Sequence, residues 1–218
     1  MRVNKFVAQA TGISRRAADT AIKNGRVKIG PQVAQLGDEV IEADSVSLDG
    51  KVIGIRSITT IILNKPVGYV CSREGQGAKT IYDLLPQQYH ALKPVGRLDK
   101  DSSGLLILTN DGELANQLTH PRYSKTKIYE VVLDKPLQPL HQQMINDHGV
   151  ILQDGNSKLG LQKMESDKSW QVTMSEGRNR QIRRTFDSLG YSVTKLHRTS
   201  LGNYRLDDLP NGKICIQD

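Results

Sequence analysis

A carboxylate in an unusual setting lies near the middle of this chain of 218 residues. Asp99 follows Arg97 by two positions, and a glycine-containing turn then leads into the apolar run 105–108. A turn that ends in a short strand can hold a reactive side chain still at the edge of a sheet. Asp99 is therefore a candidate for covalent or acid–base chemistry. An Asp in a turn more often accepts backbone N–H bonds, and this structural role is the alternative.

A second candidate segment, residues 176–184, contains four arginines within seven positions. On a helix over residues 179–189, the apolar residues share one face, and Arg180 and Arg184 lie opposite, towards solvent or RNA. Arg183 lies on the flank of the apolar face, where its guanidinium can reach a buried carboxylate. Such a pair lowers the pKa of the carboxylate by roughly 1–3 units. A solvated basic helix is the alternative, and it suits Arg180 and Arg184 better than Arg183.

The third segment surrounds Tyr129. Alternation along a strand places Tyr129, Val131 and Leu133 on one face. From this segment alone an ordinary core tyrosine is the simpler interpretation. A flat ring at the edge of a site is also a surface on which a nucleic-acid base can stack.

Several kinds of site are excluded by the motifs that the sequence lacks. It contains no Cys-x-x-Cys, His-x-Glu or His-Glu-x-x-His, and residues 75–77 lack the Gly-Lys-Ser/Thr of a phosphate loop. A Gly-x-Ser-x-Gly elbow is also absent. The two cysteines, Cys71 and Cys215, match no ligand spacing and are expected to be buried reduced thiols of a cytoplasmic protein. A reaction without metal or cofactor is the expectation.

Charge is concentrated at the start of the chain, whose formal net charge is +7. Residues 1–30 carry seven Lys or Arg and one acid, whereas residues 31–48 carry four acids and no base. An anionic partner is expected, although charge alone favours nucleic acid only weakly. We predict a small basic module over residues 1–48, a linker over 49–58 and a main domain over 59–218.

The module is predicted to begin with two helices and a strand. Apolar residues at positions 3, 6, 7 and 10 mark one helix face, and Thr11-Gly12 ends that helix. Ser14 is a natural N-cap for a second helix, with Ala17, Ala21 and Ile22 inward. Arg15 and Arg16 lie in its first turn, where cations oppose the helix dipole at roughly 0.3–1 kcal/mol each. This unfavourable choice is a mild indication of function.

The main domain is predicted to be α+β, because its strands often follow one another without an intervening helix. The predicted strands are residues 60–63, 68–71, 105–109, 128–133, 170–174 and 193–196, and the predicted helices are residues 80–85, 111–118, 140–147 and 179–189.

The basic module resembles an S4 RNA-binding domain. The resemblance lies in residues 2–8, 14–19 and 25–28, in the order helix, helix, strand. The module departs from the pattern at Gly30-Pro31-Gln32, where such domains usually carry an Asn-Gly turn. The resemblance implies that the helix pair holds an RNA backbone by shape and phosphate contacts. The candidate RNA-binding residues are Arg2, Lys5, Arg15, Arg16, Arg26 and Lys28.

Four further regions resemble the RsuA-type bacterial rRNA pseudouridine synthases that carry an N-terminal S4 domain. They are Asn64-Lys65-Pro66 with Gly68, residues 96–112, Lys127-Ile128-Tyr129, and residues 176–184 followed by 195–198. Ile128 departs from the pattern, since Thr or Tyr often stands there. The resemblance implies a mixed, mainly antiparallel sheet with flanking helices. It also implies isomerisation of a uridine in ribosomal RNA, with 23S rRNA favoured.

The resemblance also assigns roles to individual residues. Asp99 is implied to be the nucleophile that attacks C1′ of the target uridine, or otherwise assists its cleavage, and Arg183 its salt-bridge partner. Tyr129 is implied to stack on the flipped base and to assist proton removal from C5, and Leu196 to form an apolar wall. Substrate or site-forming contacts are implied for Lys65, Arg97 and Arg178.

Alternatives remain at the level of target and class. A uridine of 16S rRNA or tRNA is one, and a non-catalytic RNA-binding or ribosome-assembly factor on the same scaffold is another. The first twenty residues hold no unbroken apolar segment, and the longest apolar runs are too short to span a bilayer. We therefore expect a cytoplasmic monomer that acts on RNA and not on membranes.

Overall fold

The computed structural model describes residues 1–55 and 57–217. The chain divides into two compact units, Met1–Thr59 and Thr60–Asp218. Both units combine helices with mainly antiparallel strands, which confirms the predicted α+β class. No helix within residues 1–55 and 57–217 is long and apolar enough to cross a membrane.

The first unit consists of two helices and a four-stranded antiparallel sheet. The sheet has the order β2-β1-β3-β4. The elements are α1 (Val3–Thr11), α2 (Arg15–Lys23), β1 (Val27–Ile29), β2 (Gln32–Val33), β3 (Val46–Leu48) and β4 (Lys51–Ile53).

Local chemistry fixes both helix boundaries between α1 and α2. Gly12 adopts φ 83° and donates its N–H to the Ala8 carbonyl, which ends α1. The Ser14 side chain accepts the Ala17 N–H at 3.0 Å and caps α2, as predicted. The predicted inward position of Ala17 is wrong. The helix begins at Arg15, so Ala18, with Ala21 and Ile22, forms the buried face.

The predicted linker is partly wrong, because residues 51–53 form β4. Asp49 and Gly50, with φ 50° and 76°, join β3 to β4. Two successive positive φ angles are what a tight two-residue hairpin requires, since they match the twist of the strands. The first unit therefore continues to Thr59.

The second unit is built around a nine-stranded sheet. Seven strands run in the order β11-β12-β8-β13-β7-β5-β15, with β14 paired to β13 and β6 to β7. The strands are β5 (Thr60–Lys65), β6 (Lys93–Pro94), β7 (Ser103–Thr109), β8 (Lys127–Leu133), β11 (Gly160–Lys163), β12 (Ser169–Met174), β13 (Val193–Leu201), β14 (Tyr204–Arg205) and β15 (Ile214–Gln217). The helices are α3 (Gly112–Thr119), α4 (Pro139–Gln143) and α5 (Gln181–Asp187), and a separate hairpin is formed by β9 (Val150–Leu152) and β10 (Gly155–Ser157).

The sheet is mixed, because β13 pairs with β7 in parallel and the other pairs given above are antiparallel. Residues 105–108 of β7 are fully buried on both faces, so the predicted central strand is confirmed. Asp111 accepts the Glu113 N–H and caps α3, also as predicted.

Residues 68–71 do not form the predicted strand. Pro66 cannot donate to a ladder, and Gly68 turns the chain with φ 91°, so the residues after β5 leave the sheet. Only Val70 pairs, in an isolated bridge to Thr80. The predicted helix 140–147 is shorter than expected as an α-helix, because residues Met144–His148 continue α4 as a π-helical turn.

Candidate active site

A cavity of about 580 Å³ in the second unit brings together the three segments that the sequence singles out. Asp99, Tyr129 and Leu196 all line it. The remaining polar or charged lining residues include Arg97, Ser102, His120, Lys125, Lys127, Glu176, Arg178, Arg180 and Arg198.

A buried lysine fixes the turn that carries Asp99. Lys65 is the last residue of β5 and its side chain is fully buried. Its Nζ donates to the carbonyl oxygens of Pro66 at 3.0 Å, Asp99 at 3.0 Å and Ser102 at 2.7 Å. Burial lowers the pKa of this ammonium. Lys65 therefore holds the backbone of Asp99, which is a site-forming contact of the kind that the resemblance implies, and its fully buried side chain leaves no surface for a contact with RNA.

Cys71 supports the same turn from the other side. Its Sγ lies 3.4 Å from the Leu98 nitrogen and 3.3 Å from the Leu98 oxygen, so the thiol bridges both backbone groups of the residue before Asp99. Burial raises the pKa of this thiol. Both cysteines are free, Cys71 is half-buried and Cys215 is exposed, so the prediction that both are buried is wrong for Cys215.

The parallel pair of β7 and β13 requires a glycine. Gly104 adopts φ 105°, and a Cβ there would lie 2.2 Å from the Arg198 oxygen and 2.6 Å from its nitrogen. The buried Arg198 donates from Nε to the Leu105 carbonyl at 2.8 Å, across the same pair of strands. These contacts place Leu196, two residues earlier on β13, at the wall of the cavity.

The Asp99 side chain is about one-third exposed and has one ionic contact within residues 1–55 and 57–217. Arg180 Nη1 lies 3.4 Å from Asp99 Oδ2. The other carboxylate oxygen has no hydrogen-bond donor among the described residues. Arg180 itself is fixed more firmly by Asp101, with Nη1–Oδ1 and Nη2–Oδ2 distances of 3.0 Å each. Arg180 is thus exposed, as predicted, but it is also held by Asp101, a partner that the sequence analysis did not propose.

The predicted ion pair between Arg183 and Asp99 is also wrong. Arg183 Nε lies 3.3 Å from Asp101 Oδ2, and its two Nη atoms donate to the carbonyl oxygens of Val193 and Asp101 at 2.8 Å each. These backbone acceptors hold the guanidinium beside Asp101, two residues beyond Asp99. Burial lowers the pKa of Arg183, while hydrogen bonds from Arg180 and the two nearby guanidinium charges lower that of Asp101.

Apolar side chains form one part of the lining of the cavity that also contains Asp99. Tyr129 and Leu196 are each 8% exposed, and Met174 and Ile182 complete this apolar wall. Tyr129 lies on the buried face of β8, as its alternation predicts. Its hydroxyl makes no hydrogen bond to residues 1–55 or 57–217. The cavity thus contains both the Asp99 carboxylate and a flat ring whose hydroxyl has no partner among the described residues.

Arg178 and Arg184 bind the protein itself. Arg178 donates to the carbonyl oxygens of Asp154, Gly155 and Asn156 at 2.8–3.1 Å and to the Asp154 carboxylate at 2.9 Å. Arg184 makes a two-pronged pair with the same carboxylate at 3.0 and 2.7 Å. Both arginines therefore clamp the β9–β10 hairpin. The Nη donors of Arg178 are therefore occupied by the protein, while the residue also lines the cavity, and its contact with substrate stays a prediction.

The other cations in and beside the cavity differ in how far the protein itself engages them. Arg97 is exposed and makes no hydrogen bond or ion pair with any described residue. Half-buried Lys127 donates to the Glu176 carbonyl at 3.2 Å, and burial and then the nearby Arg198 charge lower its pKa. Beside the cavity, Arg122 stacks on Tyr123 with its Cζ 4.5 Å from the ring centre. This rim is suited to a polyanion that carries stacked bases.

Comparison with protein families adds two matches. Residues 59–188 match the family described as RNA pseudouridylate synthase, and residues 1–46 match the S4 domain. The first match covers more than half of the chain.

The chain belongs to the RNA pseudouridine synthase family.

Relatives of this synthase extend over nearly its whole length. It is 36% identical to "Ribosomal large subunit pseudouridine synthase B" of Bacillus subtilis (strain 168), over 97% of this chain and 89% of the relative. It is 36% identical to "Dual-specificity RNA pseudouridine synthase RluF" of Escherichia coli (strain K12), over 98% and 74%. These relatives, with the S4 match, confirm the RsuA type. A solved structure described as pseudouridylate synthase has a TM-score of 0.70 at 30% identity, covering all of this chain and 96% of that one.

Some of the cationic side chains that are predicted to bind RNA in the S4 domain of the synthase are already bonded to other residues of the protein. The side chains of Arg16 and Lys28 are exposed and make no hydrogen bond or ion pair with the described residues. Arg15 donates to the Asn4 side chain at 3.3 Å. Arg26 forms a two-pronged pair with Asp49 at 2.8 and 2.6 Å, which occupies the fork predicted to bind RNA. Arg2 is the exposed residue before α1, and the side chain of Lys5, within α1, is half-buried.

Three site residues escaped the sequence analysis. Asp101 and Arg180 were not proposed for the site, although a cluster of four arginines needs nearby carboxylates. Arg198 lies two positions after Leu196 on β13, so alternation along the strand would place both on the inward face.

Proposed function

We propose that this synthase isomerises a specific uridine of ribosomal RNA to pseudouridine, with Asp99 as the nucleophile. The observation that carries the proposal is the cavity that Asp99 shares with Tyr129 and Leu196, in which one Asp99 carboxylate oxygen has no donor among the described residues. A carboxylate so placed can attack a sugar carbon without first losing a hydrogen bond.

The chemistry needs no group beyond these side chains. Attack of Asp99 on C1′ forms a carbon–oxygen bond as the N1–C1′ bond breaks and uracil leaves with the electron pair. Uracil then turns, C5 attacks C1′, and the Asp99 carboxylate leaves with its electrons. Overall C5 loses a proton and N1 gains one, and the free hydroxyl of Tyr129 is the group on the wall that can relay it.

The apolar wall explains why the freed base stays in place. A target uridine must leave its stack before Asp99 can reach the sugar, at a cost of a few kcal/mol. The ring of Tyr129 provides a replacement stacking surface, and Leu196 excludes water from the other side of the base. The exposed Arg97 and the Arg122–Tyr123 pair are placed to hold the flanking backbone.

For the target we propose 23S rRNA. The Bacillus subtilis relative is described as a large-subunit enzyme, which supports this choice, and the relative described as dual-specificity supports a search for a second substrate. Site-resolved mapping of pseudouridine in rRNA and tRNA, with and without this gene, identifies the uridine. A lost modification in 16S rRNA or tRNA alone would contradict the 23S proposal.

The test of Asp99 is its replacement by Asn, which keeps shape and removes charge. We expect Asp99→Asn to bind RNA as the parent does and to form no pseudouridine. Asp187→Asn is a matched control, because Asp187 is exposed at the end of α5 and does not line the cavity. Near-parental activity of Asp99→Asn would show that the assignment is wrong.

We also propose that the S4 domain binds RNA through phosphate contacts and that the synthase acts as a cytoplasmic monomer. Arg15→Ala with Arg16→Ala should flatten the salt dependence of RNA affinity by up to about 0.7–0.9 log–log unit per lost contact. An unchanged slope would mean that neither arginine touches phosphate. Light scattering at working concentration tests the monomer.

A further inference from the structure

Asp99 and Asp101 share one guanidinium unequally. Arg180 donates from Nη1 and Nη2 to the two carboxylate oxygens of Asp101 at 3.0 Å each, whereas only its Nη1 contacts Asp99, at 3.4 Å from Oδ2. A planar guanidinium fits one carboxylate in this two-pronged way. Asp101 is therefore the main partner of Arg180, and Asp99 keeps one carboxylate oxygen without a donor among the described residues.

Arg180 is the guanidinium that is free to change partners. Its side chain is 43% exposed, and it precedes α5 in the left-handed conformation, with φ 46°. Arg183, in contrast, is 12% exposed and is fixed by the carbonyl oxygens of Val193 and Asp101. Loss of the Asp101 charge would therefore release Arg180, while Arg183 keeps its backbone acceptors.

We propose that Asp101 is a positioning residue that holds Arg180 away from a two-pronged pair with Asp99. The inference rests on the proposed function, because it concerns the freedom of Asp99 to attack. A carboxylate held by both prongs of an arginine must break a charge-assisted hydrogen bond before it attacks carbon. Asp101 does not line the cavity, so this role is separate from contact with substrate.

The inference predicts a rescue that a purely structural role does not. Asp101→Asn leaves Asp99 as the remaining carboxylate within reach of Arg180. We expect its single-turnover rate at saturating RNA to fall about tenfold, which equals about 1.4 kcal/mol and lies within the strength of one charge-assisted hydrogen bond. KM should change little. Adding Arg180→Gln removes the diverted guanidinium and should raise the rate at least threefold above that of Asp101→Asn.

The experiment compares the parent, both single variants and the double variant, using the full chain and the RNA in which mapping finds the modified uridine. A parental rate for Asp101→Asn would overturn the inference. A double variant no faster than Asp101→Asn would also overturn it, because a structural loss at Asp101 is not repaired by removing a second side chain.

Asp99→Asn, measured in parallel, separates this inference from the function on which it rests. If Asp99→Asn stays active, the proposed function fails. If it is inactive and the rescue is absent, only the role of Asp101 fails. Should Asp101→Asn not fold, the equal-sized pair Asp101→Glu and Asp101→Gln replaces it. The Glu variant must then be at least threefold faster than the Gln variant, and equal rates would overturn the inference.

Discussion

Replacement of Lys65 by Met tests how the turn of Asp99 is held. The side chain is fully buried, and its Nζ donates to three backbone oxygens at 2.7–3.0 Å. A hydrogen bond to a charged group contributes about 1.5–3 kcal/mol, while the desolvation that lowers the pKa of this ammonium opposes it. We expect a net loss of about 2–4 kcal/mol in the free energy of unfolding.

Two measurements check this expectation. For a unit of this size, thermal unfolding should shift by roughly 2–4 °C per kcal/mol, so the Tm of Lys65→Met should fall by about 5–15 °C. The single-turnover rate, measured well below both Tm values, should fall by about tenfold to a hundredfold, because a displacement of the Asp99 backbone near 1 Å spoils its approach to the sugar.

Lys213→Met is the matched control, since Lys213 is exposed just before β15. Its effect on stability should stay within about 0.5 kcal/mol. The reasoning would be refuted if Lys65→Met unfolded at the parental temperature and reacted at the parental rate.

Three further outcomes follow from the structure. Gly104→Ala should lower the free energy of unfolding, measured by calorimetry, by about 3–5 kcal/mol, because its Cβ would clash with the Arg198 backbone. Gly112→Ala is the control and should be neutral or stabilising, because the space around its Cβ is open. Equal effects of the two substitutions would contradict the close approach at Gly104. Asp49→Asn should release Arg26 and steepen the salt dependence of RNA affinity by up to about 0.7–0.9 log–log unit. Glu42→Gln changes the net charge equally and should leave the slope unchanged. Equal slopes for the two variants would argue against a phosphate contact by Arg26. The pKa of Asp101 lies below its usual value, so Asp101→Asn should be less stable than the parent at neutral pH. This difference in the free energy of unfolding should vanish as pH falls through the lowered pKa, and urea unfolding across acid pH checks it. A difference that persists at acid pH would exclude a charge effect.

Elements whose boundaries depend on local chemistry were predictable from the sequence. The Gly12 and Ser14 boundaries of the first two helices, the buried run in β7 and the Asp111 cap all follow from neighbouring residues. The hairpin at Asp49-Gly50 was also predictable from neighbouring residues, since Asp-Gly between short strands is a strong turn signal. It was missed because residues 49–58 were assigned to a linker.

The partners of the arginines were not predictable in the same way. Asp99 and Asp101 stand two residues apart on one turn, and helical geometry alone does not decide which of them Arg183 meets. Backbone acceptors decide it, because the Val193 and Asp101 carbonyls fix the guanidinium beside Asp101. The left-handed conformation of Arg180, which directs its side chain across the turn, has no signal in a residue that is not glycine.

The parallel pairing of β7 with β13 also determines when the site can form during folding. Ser103 and His197, hydrogen-bonded at 2.8 Å across this pair, are 94 residues apart in sequence, whereas Lys65 and Asp99 are separated by 34. Closing the longer loop costs more chain entropy and is slower. The pairing of β5 and β7 can therefore form the Asp99 turn early in folding. The apolar wall of the cavity forms only when β13, which pairs with β8, also pairs with β7. Recovery of enzyme activity should accordingly follow the last phase of refolding.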